Sequence, residues 1–151
     1  MLEKRIPPLV LVLVAGAAMW GVSILTSPLP LDDTFRRVAA SMMFVVGILF
    51  PVAGVVAFRR AKTTVDPRTP EASSALVCSG IYRYSRNPMY VGFALWLLAW
   101  AVFLGSGWGV LGVVFFVLYM NRFQIVPEER ALRVLFDKEF GAYQQRVRRW
   151  L

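Results

Sequence analysis

"NPMYVGFALWLLAWAVFLGSGWGVLGVVFFVLYMN", residues Asn87 to Asn121, runs for 35 residues without a formal charge. At about 1.5 Å per residue, a single helix of that length would reach roughly 50 Å, well beyond a hydrocarbon core of about 30 Å. The run therefore has to fold back on itself. The place for the turn is "GSGWG", Gly105 to Gly109, where small residues suit a tight link between two short apolar helices. Two further charge-free runs, Ile6 to Leu31 with 26 residues and Val38 to Phe58 with 21, each meet the roughly 20 residues that a span requires. The reading is an all-α integral membrane protein of about four transmembrane helices, the third and fourth forming a hairpin.

The rest of the composition agrees. A chain of 151 residues is enough for one domain, and 58% hydrophobic with 17% charged residues leaves more apolar surface than a soluble domain of this size buries. The expected spans are about 8–27, 38–58, 88–104 and 108–123, with an inner loop over 59–87 and an amphipathic interfacial helix over about 127–149. Lys4 and Arg5 before the first apolar run also fit a signal peptide. Two adjacent prolines at its start and no clear small-residue cleavage site favour a retained helix.

With both termini inside, 15 of the 17 basic residues fall on the inner side, and only Arg36 and Arg37 lie outside, beside Asp32 and Asp33. That asymmetry follows the positive-inside bias and implies a multi-pass protein with cytoplasmic termini, of the prokaryotic inner (plasma) membrane type. The net charge of +8 is then a feature of the inner leaflet. Basic residues spread among loops around spans do not make a nucleic-acid surface, and nothing in the sequence argues for a partner chain.

One cysteine, Cys78, excludes an internal disulfide, and the chain has no histidine. A Ser-His or Cys-His pair, a histidine base and the common zinc sites are thereby ruled out, so no metal centre is expected. Cys78 fits a packed small residue better than a nucleophile.

Polar groups gather at one end of the third span. The 28-residue segment Arg59 to Arg86 closes on "CSGIYRYSRNPMY", crowding Tyr82, Arg83, Tyr84, Arg86, Asn87 and Tyr90 at the mouth of an apolar run. Asn87 suits an N-cap and Pro88 the first helical position, which would leave backbone N–H groups at the inner interface as an anion-binding end. Taken singly, the tyrosines fit an aromatic belt and the arginines fit topology. Beyond the fourth span, Leu132, Leu135, Phe136, Phe140, Tyr143 and Val147 share one face at helical spacing, and Arg146, Arg148, Arg149 and Trp150 would anchor the helix. Glu128 and Glu129 fit first-turn dipole chemistry, or else a carboxylate turned into the bundle to bind a polar or cationic ligand. On the hairpin, "SRNPMY" and "PEER" face each other.

A helix start, arginines, tyrosine rings and a carboxylate, without a histidine base, suit S-adenosylmethionine. Methyl transfer to an acceptor that is already anionic needs alignment and desolvation rather than a general base.

"GIYRYSRNPMYVG", the hairpin, and "PEERALRVLFDKEFGAYQQRVRRW" together resemble the isoprenylcysteine carboxyl methyltransferase and phospholipid methyltransferase group of integral-membrane enzymes. The resemblance covers about Ser74 to the last residue and leaves the first two spans without a signature. It implies S-adenosylmethionine bound by Ser74, Ala75, Leu76 and Val77, by Tyr82, and by Asn87, Pro88, Met89 and Tyr90, with Glu128 completing the cofactor site. It also places Arg122, Gln124 and Glu128 at the reacting end. Two departures are visible. Arg86-Asn87-Pro88 stands where the eukaryotic enzymes have Arg-His-Pro, and Gln124 stands where they place an arginine on the substrate carboxylate. A neutral amide does not replace a guanidinium clamp. The acceptor is therefore open among a prenylcysteine-type carboxylate, another lipid, and a small thiol or amine. Two other classes fit parts of the pattern: a membrane enone or sterol-type reductase using a reduced nicotinamide dinucleotide, and a non-enzymatic membrane scaffold.

Overall fold

The computed structural model describes residues 6–61 and 76–151. Every regular element among them is helical: α1 (Pro8–Leu25), α2 (Asp33–Arg60), a 3-10 turn (Gly80–Arg83), α3 (Pro88–Leu104), α4 (Gly109–Tyr119), a π turn (Met120–Ile125) and α5 (Val126–Arg146). Among the described residues, α1, α2 and the unbroken run Gly109–Arg146 are long and apolar enough to cross a membrane, while α3, with 17 residues, is a shorter apolar helix. No loop separates α4 from α5.

The helix ends follow local chemistry. Pro8 opens α1 at a position whose N–H has no helical partner in any case. Asp32 caps α2, its carboxylate accepting the Phe35 N–H at 2.9 Å, and Arg59 and Arg60 close the helix where cations complement the dipole. α3 stops at Gly105, which takes the left-handed conformation at φ 63°. The Gly105 carbonyl then accepts the Leu29 N–H at 2.7 Å, tying the α1–α2 link to the α3–α4 turn.

α3 is the central helix, packed by α2, α1 and α4. Leu11, Met19, Leu97, Phe116, Met120 and Ile125 form a buried core between them. Leu13, Val14, Leu25, Met42, Leu49 and Leu118 are each more than half exposed, as side chains that face lipid would be. A second cluster of Ala57, Val77, Tyr82, Phe140, Tyr143 and Val147 lies where α2 ends. Phe140 and Tyr143 reach it from beyond Asp137, where the backbone (φ 30°, ψ −103°) interrupts the regular course of α5.

The α2–α3 contact depends on a proline and two glycines. Pro51 has no N–H to give the Gly47 carbonyl one turn earlier, and that oxygen sits over Gly92, 2.5 Å from where a Cβ would be; the Pro51 ring lies equally close. Small residues let the two backbones approach in this way. Gly92→Ala is expected to destabilise the protein by about 1–3 kcal/mol through overpacking against backbone. Gly21→Ala, where nothing lies within 4 Å of the added methyl, serves as the control and should melt at or slightly above the wild-type temperature. Thermal unfolding in detergent compares the two.

Candidate functional site

The π turn adds a residue to the helical course just ahead of Glu128, and wide turns of this kind recur at functional sites. Gln124, on this turn, is only 2% exposed. Its amide donates to Glu128 Oε1 at 2.6 Å, and the Tyr90 hydroxyl donates to the same oxygen at 2.7 Å. The two stretches that the sequence places at facing helix ends thus meet directly, across 38 residues of chain. Tyr82 stands beside them: Gly54 of α2 packs against both the Tyr82 hydroxyl and the Met89 side chain. Burial pushes the Tyr82 hydroxyl well above its ordinary range, with smaller contributions from Tyr143 and the Glu128 carboxylate, so it stays protonated.

Glu129 faces a different set of groups. Arg86 donates to its Oε1 at 2.8 Å, and Arg149 grips both oxygens, Nε at 3.1 Å and a terminal nitrogen at 2.7 Å. The other terminal nitrogen of Arg86 donates to the Gln144 and Val147 carbonyls at 3.0 and 2.9 Å. The Arg86 and Glu129 side chains are 12% and 14% exposed, so this is a largely desolvated pair. The Arg86 Nε–H is buried with no acceptor among the described residues.

Asn87 precedes α3 as the sequence suggests, but its side chain does not cap the helix. The amide donates instead to the Arg149 carbonyl at 2.9 Å, because the chain after α5 returns past this end of α3. The fully buried Ser85 hydroxyl accepts the Asn87 backbone N–H at 3.1 Å. Pro88 is fully buried at the first position of α3.

Of the expected site residues, the structure brings Tyr82, Met89, Tyr90, Gln124 and Glu128 together, with Asn87 and Pro88 adjoining them. Leu76 and Val77 lie with Tyr82 in the second cluster. Arg122 is exposed, its guanidinium carbon 5.8 Å from the centre of the Phe123 ring. Ser74 and Ala75 fall outside the described residues. Sequence reasoning gave no site role to Ser85, Gln144 or Arg149, and it weighed Glu129 only as one of an adjacent pair of which one carboxylate could turn into the bundle.

Among the described residues no group of three His, Cys, Asp or Glu side chains could hold a metal. Cys78 is packed against the second cluster, and burial raises its thiol pKa, Glu139 adding to the effect and Arg146 opposing it. A raised thiol pKa means less thiolate at neutral pH. Iodoacetamide should therefore label Cys78 more slowly than free cysteine at pH 7.5, with the rate still climbing above pH 9. Labelling that matches free cysteine at neutral pH would contradict this.

Three membrane-length helices around an apolar core, with a polar cluster gathered at one end, define a polytopic helical membrane protein. The chain belongs to the phospholipid methyltransferase family, whose model matches residues 35–139. It is 33% identical over 109 residues to a probable protein-S-isoprenylcysteine O-methyltransferase of Oryza sativa subsp. indica, a match covering 70% of this chain and 56% of the relative. A protein-S-isoprenylcysteine O-methyltransferase of Schizosaccharomyces pombe is 35% identical over 75 residues, 48% of this chain and 30% of that one. An uncharacterized protein of Haemophilus influenzae is 48% identical over 63 residues, 42% of this chain and the whole of that protein. The chain thus spans about half the length of the plant relative. No solved structure matches it.

Proposed function

We propose that this chain is an S-adenosylmethionine-dependent methyltransferase of the membrane, acting on a lipophilic acceptor. The observation that carries the reading is the Tyr90–Glu128 hydrogen bond at 2.7 Å, which joins the two stretches shared in kind with the methyltransferases. The groups at this end fit the donor. Glu128 is an acceptor for hydroxyl or ammonium groups, and the buried Arg86 Nε–H lacks an acceptor among the described residues, which a carboxylate supplies.

When bound, S-adenosylmethionine supplies an electrophilic methyl group on sulfur. The chain's own part is orientation and exclusion of water. Tyr90 and Gln124 both donate to Glu128 Oε1 and so fix the orientation of the carboxylate. Ser74 to Val77 and Met89 complete the cofactor contacts on this reading. Gln124, occupied with Glu128, makes a poor carboxylate clamp, and exposed Arg122 is the group available to an acceptor's anionic head. Acceptors with an anionic or nucleophilic head and an apolar body therefore fit better than water-soluble ones.

The proposed topology has α1, α2, α3 and α4 as four spans, with the site at the inner face and both termini cytoplasmic. Arg59, Arg60, Arg83, Arg86, Arg130 and Arg133 all belong to the site end, whereas Arg36 and Arg37 sit at the start of α2 beside Asp32 and Asp33. α5 beyond its kink at Asp137 then lies at the inner interface. Calorimetry on purified protein tests the function. S-adenosylhomocysteine should bind and raise the melting temperature, while NADPH leaves it unchanged. Binding of NADPH with no response to S-adenosylhomocysteine would replace the methyltransferase reading with the reductase one.

A further inference from the structure

Three consecutive residues after α5 each fasten a different part of the site. The Arg148 carbonyl accepts the Arg86 backbone N–H at 3.0 Å. The Arg149 carbonyl accepts the Asn87 side-chain amide at 2.9 Å, while its guanidinium takes both oxygens of Glu129. The Trp150 indole N–H donates to Asn121 Oδ1 at 3.0 Å. The loop before α3, the start of α3, the first turn of α5 and the π turn are thereby pinned to one short stretch. Tyr90 is three residues past Asn87, Glu128 is next to Glu129, and Gln124 is three past Asn121, so each group of the candidate site has a fastened neighbour within one helical turn.

We propose that Arg149 is a positioning residue for the cofactor site, and that Arg148, Arg149 and Trp150 form a clasp holding Tyr90, Gln124 and Glu128 in register. This inference rests on reading those three as the cofactor-binding group. The geometry gives the clasp a specific task. Tyr90 sits on α3, whereas Gln124 and Glu128 sit on the rod formed by α4 and α5, and their mutual distances of 2.6 and 2.7 Å tolerate little sliding between the two. The core between α3 and α4 is apolar and sets their spacing; apolar contacts are non-directional and do not set orientation at the polar end. Arg149 bridges the two helices there with charge-assisted, two-point geometry on one side and a backbone acceptor on the other. Its side chain is 36% exposed, so what its replacement costs is mainly geometry rather than buried charge.

The test is binding of S-adenosylhomocysteine by calorimetry to the full chain, with ligand-free melting temperatures measured alongside. Arg149→Ala should weaken binding on the order of tenfold, with a melting temperature within about 3 °C of wild type. Arg149→Lys, which restores the charge without the two-point fork, should bind between the two. Arg146→Ala, whose exposed guanidinium donates to the Ala142 carbonyl of its own helix, should bind as wild type does. Trp150→Phe removes the indole donor and decides the matter if Arg149→Ala melts much lower: weaker binding by a well-folded Trp150→Phe supports the clasp. Wild-type affinity in both Arg149→Ala and Trp150→Phe overturns it. Failure of the wild-type protein to bind at all would overturn the methyltransferase reading itself, which is a different result.

Discussion

Glu129→Ala is expected to lower the melting temperature by roughly 10 °C, the consequence of about 3 kcal/mol lost when one partner leaves a largely buried ionic group. The carboxylate receives three hydrogen bonds from two guanidinium groups, and its side chain is 14% exposed. Removing it leaves Arg86, whose side chain is 12% exposed, facing Arg149 with like charge and no counter-ion between them. The Gln144 and Val147 carbonyls continue to accept from Arg86, and these neutral acceptors temper the loss without cancelling a buried charge. Glu129→Gln keeps the shape and part of the hydrogen bonding and should fall between. Thermal unfolding followed by circular dichroism in detergent measures all three proteins, and a Glu129→Ala protein that melts with wild type would show that the triad contributes nothing net.

How far the sequence foretold this arrangement depends on the range of the interaction. The helices were legible because their signals are local: uninterrupted apolar runs, Pro8 and Pro88 at first positions, and Gly105 at a left-handed stop. The meeting of Tyr90 with Glu128 was legible too, since a hairpin that turns at Gly105 returns its second helix to the level at which the first began. Asn87 was read locally as a helix cap and stands at that position, but its side chain makes no capping bond, because the Arg149 carbonyl engages its amide from 62 residues away. Arg149 and Trp150 read as anchors for an amphipathic helix, which is what basic and aromatic residues at a helix end ordinarily are. Nothing in periodicity or spacing shows that α5 ends at Arg146 and that the chain then turns back across the start of α3. The kink at Asp137 is likewise invisible, since Phe136, Phe140 and Tyr143 keep helical spacing through it.

The glutamate next door should behave in the opposite way. Glu128→Ala is expected to cut affinity for S-adenosylhomocysteine by between about tenfold and a hundredfold, the loss of one or two hydrogen bonds to a charged group, while moving the melting temperature much less than Glu129→Ala does. The reason lies in the partners. Glu129 receives three charge-assisted bonds from two guanidinium groups, one of them largely buried, so its loss strands cationic charge; the bonds that Tyr90 and Gln124 donate to Glu128 come from neutral groups, and their loss costs unmet hydrogen bonding. Tyr90→Phe removes a single hydroxyl and leaves the carboxylate held by Gln124, so its effect on affinity should be smaller, about tenfold. Glu128→Gln separates charge from shape: if the carboxylate meets ribose hydroxyls as an acceptor, the amide retains part of the binding, and if it faces the cationic part of the ligand, Gln should be nearly as poor as Ala. Titration calorimetry of the four proteins against S-adenosylhomocysteine and against S-adenosylmethionine makes the distinction, because only the latter carries the sulfonium charge. Equal affinity in wild type and Glu128→Ala for both ligands would remove Glu128 from the site and leave the adjacent pair as purely structural chemistry at the start of α5.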